Sequence, residues 1–211
     1  LHRSARRGHR DTSAPGATGR QRYPRGPWAA IQISGGPGSG KTELLHQVAE
    51  TARGHALAVG LSGPAPASRG PYTCIAEVLK DMAQGHPKLL DAIPAECRAE
   101  LERAFDGQLP TTRQRWFVAV REFLVVAAEQ SGAVLLLDDL HLAHREAMIL
   151  VEDLARLTRT HRLAVIIAQR SDARRRPGFE VVELADRHRP QVDQDATVDL
   201  PPEVAEALQR V

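Results

Sequence analysis

An α/β fold of three layers, with a mainly parallel sheet between helices, is what this sequence predicts, and three observations predict it. From residue 29 onward, short apolar runs alternate with longer segments of helical periodicity, the order of a sheet whose crossovers are helices. Two of the runs, AVLLLD at 133–138 and LAVIIA at 163–168, are apolar without interruption, as strands buried on both faces must be. A glycine-rich turn, SGGPGSGKTELL at 34–45, joins the first apolar run to the first helical segment.

The 211 residues suit one domain, and no apolar run approaches the roughly 18 residues of a membrane span. The net charge of +2 hides a skew, because lysine occurs only at 41, 80 and 88 and many of the arginines lie within residues 1–25. The two cysteines, Cys74 and Cys97, have neither a CxxC spacing nor histidine neighbours, which argues for plain thiols in a reducing cytoplasm and against a metal site.

Residues 1–27 are rich in Arg, Gly, Ser and Pro and nearly free of large apolar side chains, so a disordered leader is expected. A nucleic-acid tether or a transit peptide are the other readings of those arginines; aromatic interleaving and helical periodicity, which would support them, are missing. The first strand is expected at 29–34 and the first helix at 42–53, with Leu44, Leu45, Val48 and Ala52 on one side. A second strand follows at 56–62, a loop at 63–71, and a helix at 72–84 whose Ile75, Val78, Leu79 and Met82 keep helical spacing. Helical stretches at 88–93 and 95–105 are divided by Pro94, and a helix at 111–130 opens with Thr111-x-x-Gln114, a capping-box pattern. After the run at 133–138 come a helix at 145–158 and the strand at 163–168. Either 180–184 or 197–200 supplies a fifth strand, and 201–211 reads as the beginning of a helix.

Residues 35–42 fit G-x-x-x-x-G-K-[ST] in full, with a strand before and a helix after, the setting of a phosphate-binding P-loop or Walker A motif. Gly35, Gly36, Pro37, Gly38, Ser39 and Gly40 would turn backbone N–H groups inward, and the helix N-terminus would add positive potential toward a polyphosphate. Lys41 would reach the terminal phosphates and Thr42 would place its hydroxyl on Mg²⁺. The acid pair in VLLLDDLH at 134–141 supplies the complement, a Walker B strand end. Asp138 is expected as the magnesium-side carboxylate, and Asp139 stands where the next carboxylate would orient or deprotonate an attacking water; a strand end whose acids simply face solvent is the other reading. The strand at 56–62 falls between the two motifs in sequence, which favours the P-loop division with an additional strand over simple nucleotide kinases.

With both motifs in hand, the chain resembles the AAA-type, origin-recognition-like ATPase domain of the STAND class, the signal-transduction ATPases with numerous domains found in large LuxR-type regulators. The stretches that carry the resemblance are SGGPGSGKTELL, PYTCIAEVLKDM, RQRWFVAVREFLVVAAEQSGAVLLLDDLHLAHREAMILVEDLARL and LAVIIAQRSD, together spanning roughly 28–172. It implies an ATP–Mg²⁺ binding module at 28–200, slow ATP hydrolysis, a signalling or transcription-regulatory role, and a γ-phosphate sensor at Arg170, with a plain surface arginine as the other reading of that residue. His141 belongs to the acid-acid-Leu-His pattern of that class.

The sequence departs from the pattern at Leu142-Ala143-His144, where Trp-Ala-Asp is common, and in the Pro/Arg-rich segment that stands where a Gly-Arg-Glu type sequence is usual. The stretch PPEVAEALQRV at 201–211 is similar to the entry of a helical lid, so a truncated or missing lid is expected. Protein partners or self-association stay open, and no motif supports direct DNA binding. The competing reading is a non-catalytic interaction or nucleic-acid-binding protein on a P-loop scaffold, or a remnant of a larger regulator.

Overall fold

The structure of the chain, a computed structural model, describes residues 29–63 and 70–184. The leader expected at 1–27, the alternative strand at 197–200 and the helix expected at 201–211 lie outside the described residues. The elements in chain order are β1 (Ala30–Gly35), α1 (Lys41–Gly54), β2 (Ala58–Leu61), α2 (Thr73–Gly85), α3 (Lys88–Asp91), α4 (Ala95–Phe105), α5 (Arg113–Gln130), β3 (Ala133–Leu137), a 3₁₀ turn (Leu140–Leu142), α6 (Arg145–Leu157), β4 (Leu163–Arg170) and β5 (Glu180–Glu183).

Among the described residues the sheet has five strands, all parallel, in the order β2-β3-β4-β1-β5. Side chains alternate across each strand, and both faces of the central strands are covered. Ile31, Ile33, Val134, Leu136, Ala164 and Ile166 meet Leu44, Leu45, Val48 and Ala52 of α1 on one face. On the other, Leu135, Leu137, Val165 and Ile167 join the buried faces of α2, α4, α5 and α6, with Trp116 and Phe123 the largest side chains there. Two helical layers therefore enclose the sheet, and the expected three-layer sandwich is the observed one. The expected apolar stripes of α1 and α2 are their buried faces, and α6 buries Ala147, Leu150, Val151, Leu154 and Leu157.

Gly60 marks the tightest contact of β2 with the helical layer, since a Cβ there would lie 2.3 Å from the Val78 carbonyl oxygen of α2. As an edge strand β2 needs other partners for its outward backbone groups. Leu61 N donates to Asp81 Oδ2 (2.9 Å), which also accepts from Arg53 (2.8 Å), and His86 Nε2 lies 3.2 Å from the Leu57 carbonyl. Cys74 and Cys97 are buried free thiols, and burial pushes the Cys74 thiol up to about 11.

Three details differ from expectation. The N-cap of α5 is Thr112, whose hydroxyl accepts from Arg115 N, so the Thr111/Gln114 capping box does not form. Thr111 is claimed instead by Glu100 of α4, which accepts from both its amide and its hydroxyl. The strand that separates the two motifs in space is β4, while β2, which separates them in sequence, lies at the far edge beside β3. The additional-strand arrangement is present, but by a later strand inserting between β1 and β3. The third difference is length: α3 ends at Asp91 and does not reach residue 93.

The fifth strand is Glu180–Glu183, on the outer side of β1. The segment leading to it lies against polar side chains of the sheet. Gln32 and Gln169, both fully buried, hold Arg176 N (2.8 Å, through Gln32 Oε1) and the Arg174 carbonyl (2.9 Å, through Gln169 Nε2). The Arg176 side chain reaches Glu152 (3.4 Å) and Met148 Sδ (3.0 Å) of α6.

Candidate functional site

At the C-terminal ends of β1, β3 and β4 the chain leaves the sheet in three turns, and a cleft of about 550 Å³ opens between them. This is the end of a parallel α/β sheet where helix N-termini and strand ends converge. The turn after β1 forms one wall. Gly38 and Gly40 have φ of 76° and 91°, in the left-handed region that glycine enters without penalty. Gly40 is the N-cap of α1 and makes no side-chain cap, so the first amide groups of the helix are left for another acceptor.

Lys41, the first residue of α1, is 8% exposed and folds back over the turn. Its ammonium donates to Gly36 O (2.7 Å), Gly35 O (2.9 Å) and, at 3.4 Å, Ser39 Oγ. Gly35 has little room: a Cβ would come within 2.4 Å of Ser39 Oγ, so the loop closes on itself behind the cleft.

The end of β3 forms the opposite wall. Asp138 is 2% exposed and fully engaged. Its Oδ2 accepts from Thr42 Oγ1 at 2.6 Å, its Oδ1 from the Asp139 amide at 2.8 Å, and its own amide donates to Ser62 Oγ at 3.0 Å. Asp139 follows with φ 47° and ψ 37°, a left-handed conformation unusual for a side chain with a Cβ. The Leu140–Leu142 turn then brings His141 back beside it, with Nδ1 3.8 Å from Asp139 Oδ1. The third turn begins at Arg170, whose side chain is half-exposed with Nε 3.6 Å from Asp172.

Of the residues expected from sequence, Pro37, Gly38, Gly40, Lys41, Thr42, Asp139 and Arg170 line the cleft together. Asp138 reaches it through its contact with Thr42, while Gly35, Gly36 and Ser39 form the inner side of the loop around the lysine. Glu43 and Ser62 are participants the motifs did not signal. Glu43 could have been found from its place in the first turn of α1; Ser62 could not, since it pairs with a residue 76 positions away.

The donor set suits a magnesium-bound polyphosphate. Thr42 and Asp138 bring a hydroxyl and a carboxylate oxygen together, hard oxygen ligands of the kind magnesium takes, and the uncapped helix N-terminus with Lys41 offers N–H groups and positive charge to phosphate. Among the described residues no cluster of three or more His, Cys, Asp or Glu side chains could hold a metal ion. No described helix is long and apolar enough to cross a membrane.

Comparison with known protein families finds that residues 20–167 match the model of the AAA ATPase domain. That match covers more than half of the chain and agrees with the sheet order and the loop, so the chain belongs to the AAA ATPase domain family, a family of nucleotide-binding P-loop domains. No curated protein and no solved structure matches the chain.

Proposed function

We propose that the chain is an ATP–Mg²⁺ binding switch module of the STAND kind, which hydrolyses ATP slowly and whose nucleotide state serves signalling or transcriptional regulation. The observation that carries this reading is the 2.6 Å contact of Thr42 with Asp138 at the floor of a cleft that also holds Lys41. A P-loop used only as a turn would need none of the three.

In this reading the Lys41 ammonium exchanges its loop acceptors for oxygens of the β- and γ-phosphates, and the amides at the start of α1 hold the phosphates beside it. Thr42 and Asp138 would hold the magnesium ion, which would supply positive charge to the phosphates as negative charge develops on them. Asp139 orients the attacking water and takes its proton, and Arg170, at the tip of β4, meets the charge of the γ-phosphate. With the Asp139 and Arg170 side chains 31% and 52% exposed, water is poorly excluded, and slow turnover follows.

The switch would act through the two turns that carry these residues, since one continues into α6 and the other, through Arg176, docks on it. The sensed signal would come from a protein partner or a second copy of the chain. The free thiols of Cys74 and Cys97 support a reducing, cytoplasmic setting as part of the same proposal.

Calorimetric titration with ATP and magnesium tests the reading. Magnesium-dependent binding that Lys41→Ala largely removes is the expected result; equal affinity in both proteins overturns it. Binding without any turnover would turn the assignment toward a non-catalytic nucleotide-binding scaffold.

A further inference from the structure

Asp139 needs more than its place in the cleft to direct a water molecule. A carboxylate that acts on water must present one oxygen in a fixed direction, and misplacement of the order of 1 Å is enough to cost a large part of the rate. Among the described residues no side-chain donor makes a hydrogen bond to the Asp139 carboxylate. Its neighbour Asp138, in contrast, has both oxygens engaged.

The group nearest to filling that role is His141. Its Nδ1 is buried, has no hydrogen-bond partner, and lies 3.8 Å from Asp139 Oδ1, just beyond hydrogen-bond reach. Buried polar atoms of this kind rarely go without a partner. The backbone brings the two together. Asp139 adopts its left-handed conformation, Leu142 N donates to Asp139 O (2.8 Å), and Ala143 N donates to Leu140 O (3.0 Å), so a 3₁₀ turn returns the imidazole to the acid two positions before it. Both side chains line the same cleft as Lys41 and Thr42.

We propose that His141 is a positioning residue: its Nδ1–H donates to Asp139 Oδ1 and leaves Oδ2 directed at the attacking water. The inference rests on the reading of the cleft as a magnesium–ATP site and of Asp139 as the group that acts on water. No bond is made or broken at His141; the water proton goes to Asp139.

The test separates this role from a structural one through the choice of replacements. Asparagine places an amide N–H near where Nδ1 stands, and leucine fills similar space with no donor. His141→Leu is expected to lower the single-turnover rate of ATP hydrolysis by about tenfold or more while magnesium–ATP affinity stays within about twofold, and His141→Asn is expected to recover most of the rate. In an Asp139→Asn background His141→Leu should add nothing, because the two residues act as a unit. A rate drop that persists in that background, or an asparagine variant no better than leucine, overturns the proposal.

A second readout needs no turnover. Imidazole nitrogen NMR of protein labelled with ¹⁵N-histidine, with His141→Asn identifying the resonance among nine histidines, should find a proton on Nδ1 whose signal moves in Asp139→Asn. A proton found on Nε2 alone, or an Nδ1 signal indifferent to Asp139→Asn, overturns the pairing. If the wild-type chain neither binds nor hydrolyses ATP, the proposed function fails by itself, and the nitrogen spectrum still decides the contact between His141 and Asp139.

Discussion

On the loop wall of the cleft the Lys41 ammonium has three acceptors from its own turn, whereas on the acid wall the Asp139 carboxylate and the His141 imidazole stand 3.8 Å apart with no hydrogen bond between them. Both walls use left-handed backbone, but the loop enters it with glycine at 38 and 40 and the acid wall with an aspartate. The loop is thus satisfied by residues within a few positions of one another, and its conformation is written into a short motif. The acid wall is assembled from β2, β3 and the turn after β3, and its Asp139 carboxylate is left with unmet hydrogen-bonding capacity and backbone strain. Strain and unmet partners of this kind collect where a ligand is expected to complete the arrangement.

The largest effect expected from breaking this contrast is on turnover at the acid wall. Asp139→Asn should lower single-turnover hydrolysis by about 10²-fold while leaving magnesium–ATP affinity in place, because in the proposed mechanism its carboxylate acts only when the γ-phosphate is attacked. Asp138→Asn should do the reverse and weaken magnesium-dependent binding, since an amide lacks the charge that the ion needs. Rate and affinity measured on both variants would show whether the two acids are separable; parallel losses would mean that the wall works as one unit.

Next in size is the loop wall. Lys41→Ala removes a charged donor that must give up its loop acceptors to meet the phosphates, so the net loss is about that of one such hydrogen bond, about 1.5–3 kcal/mol, and ATP affinity measured by calorimetry should fall by about 10- to 100-fold.

Smaller effects bear on the backbone alone. Gly40→Ala adds a Cβ that meets nothing within 4 Å, so its cost is the left-handed conformation itself, about 1–2 kcal/mol in urea denaturation. Asp139→Gly relieves the same conformation on the opposite wall and should gain less than about 1 kcal/mol while abolishing hydrolysis. A loss in Gly40→Ala together with a gain in Asp139→Gly would place the strain in the backbone; a loss in Asp139→Gly would mean that the carboxylate holds the turn. The smallest effect should come from Cys74, outside both walls. Its thiol is held neutral until about pH 11, so alkylating reagent at pH 8 should leave ATP affinity unchanged in the folded protein.

Much of this architecture could be read from the sequence because it is local. Apolar stripes at helical spacing found the helices, and continuous apolar runs found β3 and β4, with ends shifted by a residue or two. What could not be read is long-range. Thr111 and Thr112 are equally good caps until Glu100 claims the first. The strand between the two motifs looks like β2 until β4 inserts beside β1. Buried Gln32 and Gln169 have meaning only once the segment at 174–176 lies over them. The candidate site divides the same way: the loop residues and the acid pair were visible as patterns, but the contact of Thr42 with Asp138 spans 96 positions, and the approach of His141 to Asp139 depends on a left-handed turn that composition does not announce.

The outer edge of the sheet at β2 has a consequence for how the protein can associate. A parallel sheet that ends in an open strand invites a foreign strand to extend it, which is a route to aggregation. Here the Asp81 carboxylate already accepts from the Leu61 amide and the His86 imidazole already sits on the Leu57 carbonyl, with Arg53 bracing the aspartate. An incoming strand would have to displace side chains anchored on two elements before it could pair. Growth of the sheet from copy to copy is therefore obstructed at this edge, and copies of the chain that meet here are steered toward contacts between side chains.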